Sequence, residues 1–251
     1  MNHLTLSRIL WRSFFLQAAW NFQGQQNIGL AAAMSAAYEK MYGRGNPAIA
    51  EALARTLKPF NTQPYMSGPI IGALVRAEEM GAEGGYPPER LERFKTALMT
   101  AFAAIGDAFF WNALLPVTAV LGTLWAVRSE PIGIFIYLFL FNLGHLTCRV
   151  WGFFKGYREG SGIVAVIDRL SLPAAALRIR LATSGLLGLL AACVTWGLAP
   201  EDWDRGEVFF LGVVVGPVLY FFSFLFKRGL PVEALIYGLL AVFTLGAWAR
   251  G

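Results

Sequence analysis

Between residues 97 and 127 the chain carries one charged side chain, Asp107. Residues 131–148, 183–199 and 208–226 carry none, and residues 231–249 carry only Glu233. A helix needs about 20 predominantly apolar residues to cross the hydrocarbon core of a bilayer. The run 183–199 lies at the short end of that range. The run 97–127 exceeds one straight span at about 1.5 Å per residue. Pro116 predicts a kink or a division there, with one part re-entrant. Composition agrees with these runs: 56% of residues are hydrophobic and 15% charged, against about 25% charged in soluble domains. Mean hydropathy is +0.52. The fold class is an all-α integral membrane protein, a helical bundle.

The first 96 residues are mixed. Their apolar stretches, 9–22, 28–38 and 65–75, are each too short for an ordinary span. Interfacial helices, a small cytosolic domain and re-entrant hairpins all fit such stretches. The segments "YGRGNP" (42–47) and "MGAEGGYPPER" (80–90) read as loops. Glycines four apart, at 152, 156 and 160 and at 212 and 216, predict close helix contacts.

The net charge of +5 is read as topology rather than nucleic-acid binding, since no basic run with interleaved aromatics accompanies it. The segment 149–182 carries Arg149, Lys155, Arg158, Arg169, Arg178 and Arg180 against Glu159 and Asp168, which predicts a cytoplasmic loop. The acidic segment 200–207 then lies outside, Lys227 and Arg228 return to the cytoplasm, and the C-terminus is external. The N-terminal apolar run, broken by Gln17, Asn21, Gln23, Gln25 and Gln26, does not read as a signal peptide. Cys148 and Cys193 have no metal or redox spacing and read as buried small apolar residues. With two histidines, His3 and His145, a His-rich metal site is excluded. No catalytic triad, phosphate-binding loop or zinc spacing is present, so no cofactor and no enzymatic centre is expected.

Polar residues inside apolar surroundings carry the functional signal. Asp107 is costly in lipid and normally faces a cavity, a partner or a solute path; an N-cap at the interface is the alternative. Trp111 and Asn112 follow one turn later. Asn21, Gln23, Gln25, Gln26 and Asn27 form an amide cluster. Amides both donate and accept hydrogen bonds without charge, which suits hydroxyl-rich neutral solutes; an interfacial polar face is equally consistent. Pro59 and Pro64 bracket Asn61, Thr62 and Gln63, restricting the backbone on both sides. That triplet is either a binding tip or a surface turn. Glu78 and Glu79 close the same segment. Asn142, His145 and Arg149 share a helix face, suited to anchoring a helix end or to holding loop backbone or phosphate.

Four of these segments, in order, carry a resemblance: "LQAAWNFQGQQNIGLAAAM", "FNTQPYMSGPIIGALVRAEE", "LMTAFAAIGDAFFWNALLPV" and "FNLGHLTCRVWGFFKGYREG". Together they resemble the IID component of mannose/fructose/sorbose-type phosphotransferase-system (PTS) sugar permeases, most strongly over residues 12–160. The resemblance implies a multi-pass permease subunit of the bacterial cytoplasmic (inner) membrane, surrounded by lipid. It would carry a hexose or amino sugar inward together with a IIC subunit, in a hetero-oligomer with several copies. Phosphoryl transfer would take place on separate IIA and IIB proteins. Re-entrant hairpins belong to that architecture, which selects the hairpin reading for the N-terminal half. Residues 1–182 would form the IID core, with two long apolar runs, and 183–251 the C-terminal transmembrane helices. By resemblance the sugar-site residues are Asn61, Gln63, Glu78, Glu79, Asp107 and Trp111, with Asn21 and Gln26 second. Thr100-Ala101 stand where the family commonly has glycine-proline, and a basic residue is common where His145 stands. A non-transporting regulatory or scaffolding subunit is therefore the second reading.

Overall fold

The computed structural model describes residues 1–127, 131–198 and, beyond them, 204, 206, 220–221, 224–225, 227–231, 233–234, 236–238, 240–241 and 244. The apolar run 208–226, its glycine pair at 212 and 216, the run 231–249 and the loop 200–207 lie wholly or largely outside the described residues. The chain divides into two compact units, Met1–Leu187 and Gly188–Gly251. In the second unit the described residues 188–198 are helical, as are 206, 220–221, 224–225, 227, 233–234, 236–238, 240–241 and 244.

Helices α1 (His3–Ser13), α2 (Asn27–Tyr42), α3 (Pro47–Thr56) and α4 (Ser67–Ala82) build the N-terminal part. Asn2 and Asn46 cap α1 and α3 by accepting hydrogen bonds from the Thr5 and Ala48 amides, each such cap stabilising a helix by about 1 kcal/mol. Pro47 takes the first position of α3, where a missing N–H costs nothing. The longest of the four, α2 and α4, have 16 residues, about 24 Å, short of the roughly 30 Å hydrocarbon core. None of the four spans a membrane alone.

Of the two outcomes expected at Pro116, a kink or a division, the division does not occur. Helix α5 (Pro88–Gly106) passes without a break through a π-helical segment (Asp107–Leu114) into α6 (Leu115–Ala126). Pro116 neither ends nor divides it. A proline in a helix clashes with the carbonyl four residues before it and removes an N–H donor. The wider π turns immediately upstream relieve both. The result is one 39-residue helix, Pro88–Ala126, apolar enough to cross a membrane. Asp107 has helical torsions (φ −63°, ψ −43°), so it is not an N-cap.

Helix α7 (Ile132–Glu159) continues through a 3₁₀ turn (Gly160–Gly162) and α8 (Ile163–Arg169) to α9 (Leu172–Leu198). The segment 149–182, expected to be a loop, is therefore mainly helical. Its basic residues decorate helix ends and faces. Cys193, expected to be buried, is exposed on α9; Cys148 is half-buried.

Helix α4 is the hub. It is buried on almost every face from Ser67 to Val75, with Arg76 exposed. It packs along α7 with the two chains parallel, because contacts climb in step. Cβ atoms built at Gly68 and Gly72 would lie 2.2 and 2.0 Å from the Arg149 and Phe153 carbonyl oxygens. One at Gly156 would lie 2.2 Å from the Pro69 carbonyl. Such distances are impossible for real side chains, so only glycine permits this approach. The predicted small-residue contact at 152 and 156 is thus met by Pro69 and Ala73 of α4. Helix α6 runs antiparallel to α7, with Gly122 against Gly133 and Leu114 against Gly144. Phe60, Met66, Ile70, Ile71, Phe102, Phe110 and Phe153 form the buried core around α4.

Candidate functional site

The amide cluster and the proline-bracketed triplet meet. The Gln26 side chain, 2% exposed, donates from Nε2 to the Thr62 carbonyl (2.8 Å) and accepts at Oε1 from the Thr62 amide (3.1 Å). Backbone bonds join Gln26 N to Phe60 O (2.8 Å) and Phe60 N to Gly24 O (3.1 Å). Asn21 accepts from the Gly24 amide and donates to Asn27 Oδ1. The Asn27 amide in turn reaches the Leu57 carbonyl. Gln25, at φ +61°, turns the chain into this clamp. The two loops 20–26 and 57–63 are thereby one unit, fixed by side-chain amides that supply what a β-ladder would supply elsewhere.

Gln63 points inward. Its Oε1 accepts from the Tyr65 (2.7 Å) and Met66 (3.2 Å) amides, capping the turn that starts α4. A Cβ built at Gly106 would lie 2.6 Å from Gln63 Cβ, so the triplet rests on the helix one residue before Asp107. Tyr65 joins that helix to α7: its ring stacks on His145 (centroids 4.6 Å, 11°) and meets Phe110, Trp111 and Phe141 at 5.1, 5.5 and 5.6 Å. The π segment turns Asp107 and Trp111 outward; both are exposed, as is Asn61. Thr62 Oγ1, Gln63 Nε2 and His145 Nδ1 are buried there with no hydrogen-bond partner among the described residues. A buried polar atom left so costs about 1–3 kcal/mol.

Arg149 is an anchor for α1. Nη2 donates to the Ser13 carbonyl at 2.6 Å, at the negative end of that helix, and the guanidinium lies 4.7 Å over the Phe14 ring. Asn142 donates back to the Leu138 carbonyl in its own helix.

Glu78 and Glu79 lie elsewhere. Eleven residues of helix separate Ser67 from Glu78, about 17 Å at 1.5 Å per residue. Glu78, 6% exposed, accepts from Arg55 Nη2 (3.0 Å) and Tyr38 OH (3.2 Å), and Tyr38 OH bonds Thr56 Oγ1 (2.7 Å). Lys95 Nζ donates to the Arg55 and Lys58 carbonyls that end α3. Burial raises the Glu78 carboxyl above the ordinary carboxylate value, with Arg55 opposing. Burial beside Glu78 raises the Tyr38 phenol. Glu79 accepts from the Met1 amine (2.5 Å) and Tyr157 OH (3.1 Å) and pairs with Arg76 (3.3 Å). So the structure brings Asn21, Gln26, Asn61, Gln63, Asp107 and Trp111 to one end of α4 and leaves Glu78 and Glu79 at the other. Sequence reasoning missed the role of Tyr65 as the hub of the aromatic group, and missed the Tyr38–Arg55–Glu78 network altogether. The Tyr65 signal was an aromatic beside a proline-bracketed turn; the network has no local signal.

A glycine-seamed helical bundle with membrane-length apolar helices, and an exposed carboxylate in one of them, defines a helical membrane protein. The family model "PTS system mannose/fructose/sorbose family IID component" matches residues 1–195, and the chain belongs to this family. It is 36% identical over 154 residues to the "PTS system mannose-specific EIID component" of Escherichia coli K12, covering 61% of this chain and 54% of that protein. It is 35% identical over 154 residues to the "Fructose permease IID component" of Bacillus subtilis 168, covering 61% and 56%. The chain spans about half the length of the curated relatives it matches. Among solved structures, one described as a membrane protein aligns over all of this chain and 97% of its own at TM-score 0.79 and 26% identity. A mannose transporter ManYZ complex with microcin E492 aligns over the same shares at TM-score 0.62 and 25% identity.

Proposed function

We propose that this chain is the IID membrane subunit of a mannose-type PTS permease. It translocates a hexose or amino sugar inward across the bacterial inner membrane together with a IIC subunit, in an assembly of several copies. IIA and IIB proteins phosphorylate the arriving sugar, so this chain itself is a transport subunit and not an enzyme. The multi-pass core is residues 1–182, followed by transmembrane helices in 183–251. Membership of the family supports this reading, as does the likeness to a mannose transporter complex.

One observation carries the placement of the sugar path. All four sequence segments that mark the family converge at the N-terminal end of α4: Gln26 on Thr62, Gln63 on Gly106, Tyr65 on Trp111 and His145. We assign Asp107, Trp111 and Asn61 to direct sugar contact. A carboxylate accepts paired hydroxyls through charge-assisted bonds, and an indole face packs on a pyranose. Gln63, buried beside these residues, caps the turn that starts α4 and positions the tip. Asn21 and Gln26 hold the tip in place. Glu78 and Glu79 are assigned to the packing of α4 rather than to sugar. The unit formed by loops 20–26 and 57–63 is the tip of a re-entrant hairpin, carried by helices too short to span.

Uptake of labelled hexoses and hexosamines into vesicles supplied with IIC, IIA, IIB and phosphoenolpyruvate tests the assignment. Asp107→Ala and Asn61→Ala should insert normally and transport poorly. Wild-type uptake by both variants removes them from the path, and no uptake by the wild-type system favours the scaffolding alternative. For the hairpin, a cysteine at position 22, exposed on the same tip and outside the proposed sugar contacts, should be shielded from soluble maleimide and reached by a lipid-borne quencher. Free labelling from the cytosol refutes the dip.

A further inference from the structure

At the end of α4 away from the proposed sugar path, a cavity of about 100 Å³ opens between α4, the start of α5 and the 3₁₀ turn after α7. That is room for several waters. Its walls combine two chemistries. Arg76, Arg90 and Ser161 supply donors, while Met80, Leu91 and Phe94 supply an apolar floor. The Arg90 guanidinium lies 4.2 Å over the Tyr86 ring. This contact engages no acceptor atom, so the guanidinium N–H donors remain available to an oxyanion. Arg90 has no ion-pair partner among the described residues. Arg76 makes one bond, Nη1 to Glu79 (3.3 Å), and that carboxylate is shared with the Met1 amine and Tyr157. The cavity therefore has an excess of cationic donors beside hydrocarbon.

We propose that this cavity binds a phosphate ester, with Arg76, Arg90 and Ser161 on the phosphate oxygens and Met80, Leu91 and Phe94 against the hydrocarbon attached to it. The combination fits the headgroup of an anionic phospholipid, since basic pockets between membrane helices recognise such headgroups. Guanidinium forks hold the phosphate, and selectivity over zwitterionic lipid comes from its ammonium group, which the two arginines repel. The site is independent of the sugar path: Arg90 lies sixteen residues before Gly106 on the same helix, about 24 Å.

The test is thermal melting of the full chain in nanodiscs. Discs of phosphatidylcholine alone, discs with phosphatidylglycerol added, and phosphatidylcholine discs with millimolar inorganic phosphate are compared. Phosphatidylglycerol should raise the melting temperature of the wild type by several degrees. The rise should fall by more than half in Arg90→Gln and in Arg76→Gln. It should persist in Arg93→Gln, which removes an equal charge from α5 outside the cavity. A rise with inorganic phosphate alone that depends on Arg90 supports the site with a soluble phosphate as its ligand. Rises that are equal in Arg90→Gln, Arg93→Gln and wild type, or no rise with either addition, overturn the proposal. Arg90 is exposed in the first turn of its helix, so its variant retains the fold.

Discussion

At the C-terminal end of α4, a carboxylate, Glu78, is buried with Arg55, Tyr38 and Thr56 around it, and its near oxygens are bonded. At the N-terminal end, Asp107 on the neighbouring helix stands exposed, with no bonded partner among the described residues, while amide and hydroxyl atoms beside it are buried without partners. The two ends share the same central helix and are separated by about 17 Å of it. The difference is one of completion. A carboxylate enclosed by its own protein partners holds elements together, and has little bonding capacity left for a ligand. A carboxylate facing outward in an apolar helix does nothing for the fold and is costly in lipid. Under the proposed assignment, the second arrangement is the one that repays its cost through a solute.

The seam between these ends carries the largest effect. In Gly72→Leu, any side chain would meet the Phe153 carbonyl at 2.0 Å. Backbone cannot yield as a side chain can, so destabilisation should reach or exceed the top of the usual overpacking range of about 1–3 kcal/mol. Both ends should then fail together, with lost expression and aggregation on size exclusion. Retained melting would show that α4 and α7 are not in backbone contact. Next comes Glu78→Ala, which leaves Arg55 largely buried without its counter-ion. The loss should be about 3 kcal/mol, the lower end for a broken buried pair because Arg55 keeps some solvent access. Melting should fall, while uptake per folded molecule changes little. A normal melt with lost uptake would move a sugar contact to this end and dissolve the contrast.

Gln26→Ala tests the other end's scaffold. It strands the Thr62 amide and carbonyl in a buried place, at about 1–3 kcal/mol. Urea titration should register that loss. Asp107→Ala should do the reverse of Glu78→Ala: melting unchanged, uptake reduced about tenfold or more, equivalent to about 1.4 kcal/mol of lost stabilisation. If Asp107→Ala instead lowers the melt, the carboxylate is structural and the asymmetry is wrong.

Much of this was legible in the residues. The apolar runs, the outward carboxylate and the glycine spacing at 152 and 156 are local patterns, and helix periodicity converts them into faces. By resemblance the motifs also pointed to one shared site, although not to the contacts through which their segments meet. What escaped has physical causes. In the sequence Pro116 reads as a kink or a division; the division follows from a rule that assumes an α-helix, and the π turns upstream change the geometry on which that rule rests. Gln26 grips backbone 36 residues away and Tyr38 reaches a carboxylate 40 residues away. No local propensity encodes such pairings. Glu78 and Glu79 looked equivalent as neighbours at the end of one segment, yet helix rotation sends one to α2 and α3 and the other to α7.

The smallest effect is a slope. Burial holds the Glu78 carboxyl above its ordinary value of 4.5, with Arg55 only partly offsetting it. The folded state therefore binds this proton more tightly than the unfolded chain does. Its contribution to stability is fully present below the unfolded value and is lost as pH rises through the higher folded one. In detergent, the melting temperature should carry a component that declines as pH rises above 4.5. That component should vanish in Glu78→Gln, which does not titrate; its one amide oxygen can accept from Arg55 while its NH2 faces the Tyr38 hydroxyl, which can accept. It should persist unchanged in Asp107→Asn. A slope that survives Glu78→Gln places the titration elsewhere; one that disappears in Asp107→Asn reverses the assignment of the two carboxylates, because the group coupled to folding would then be the one given to the solute.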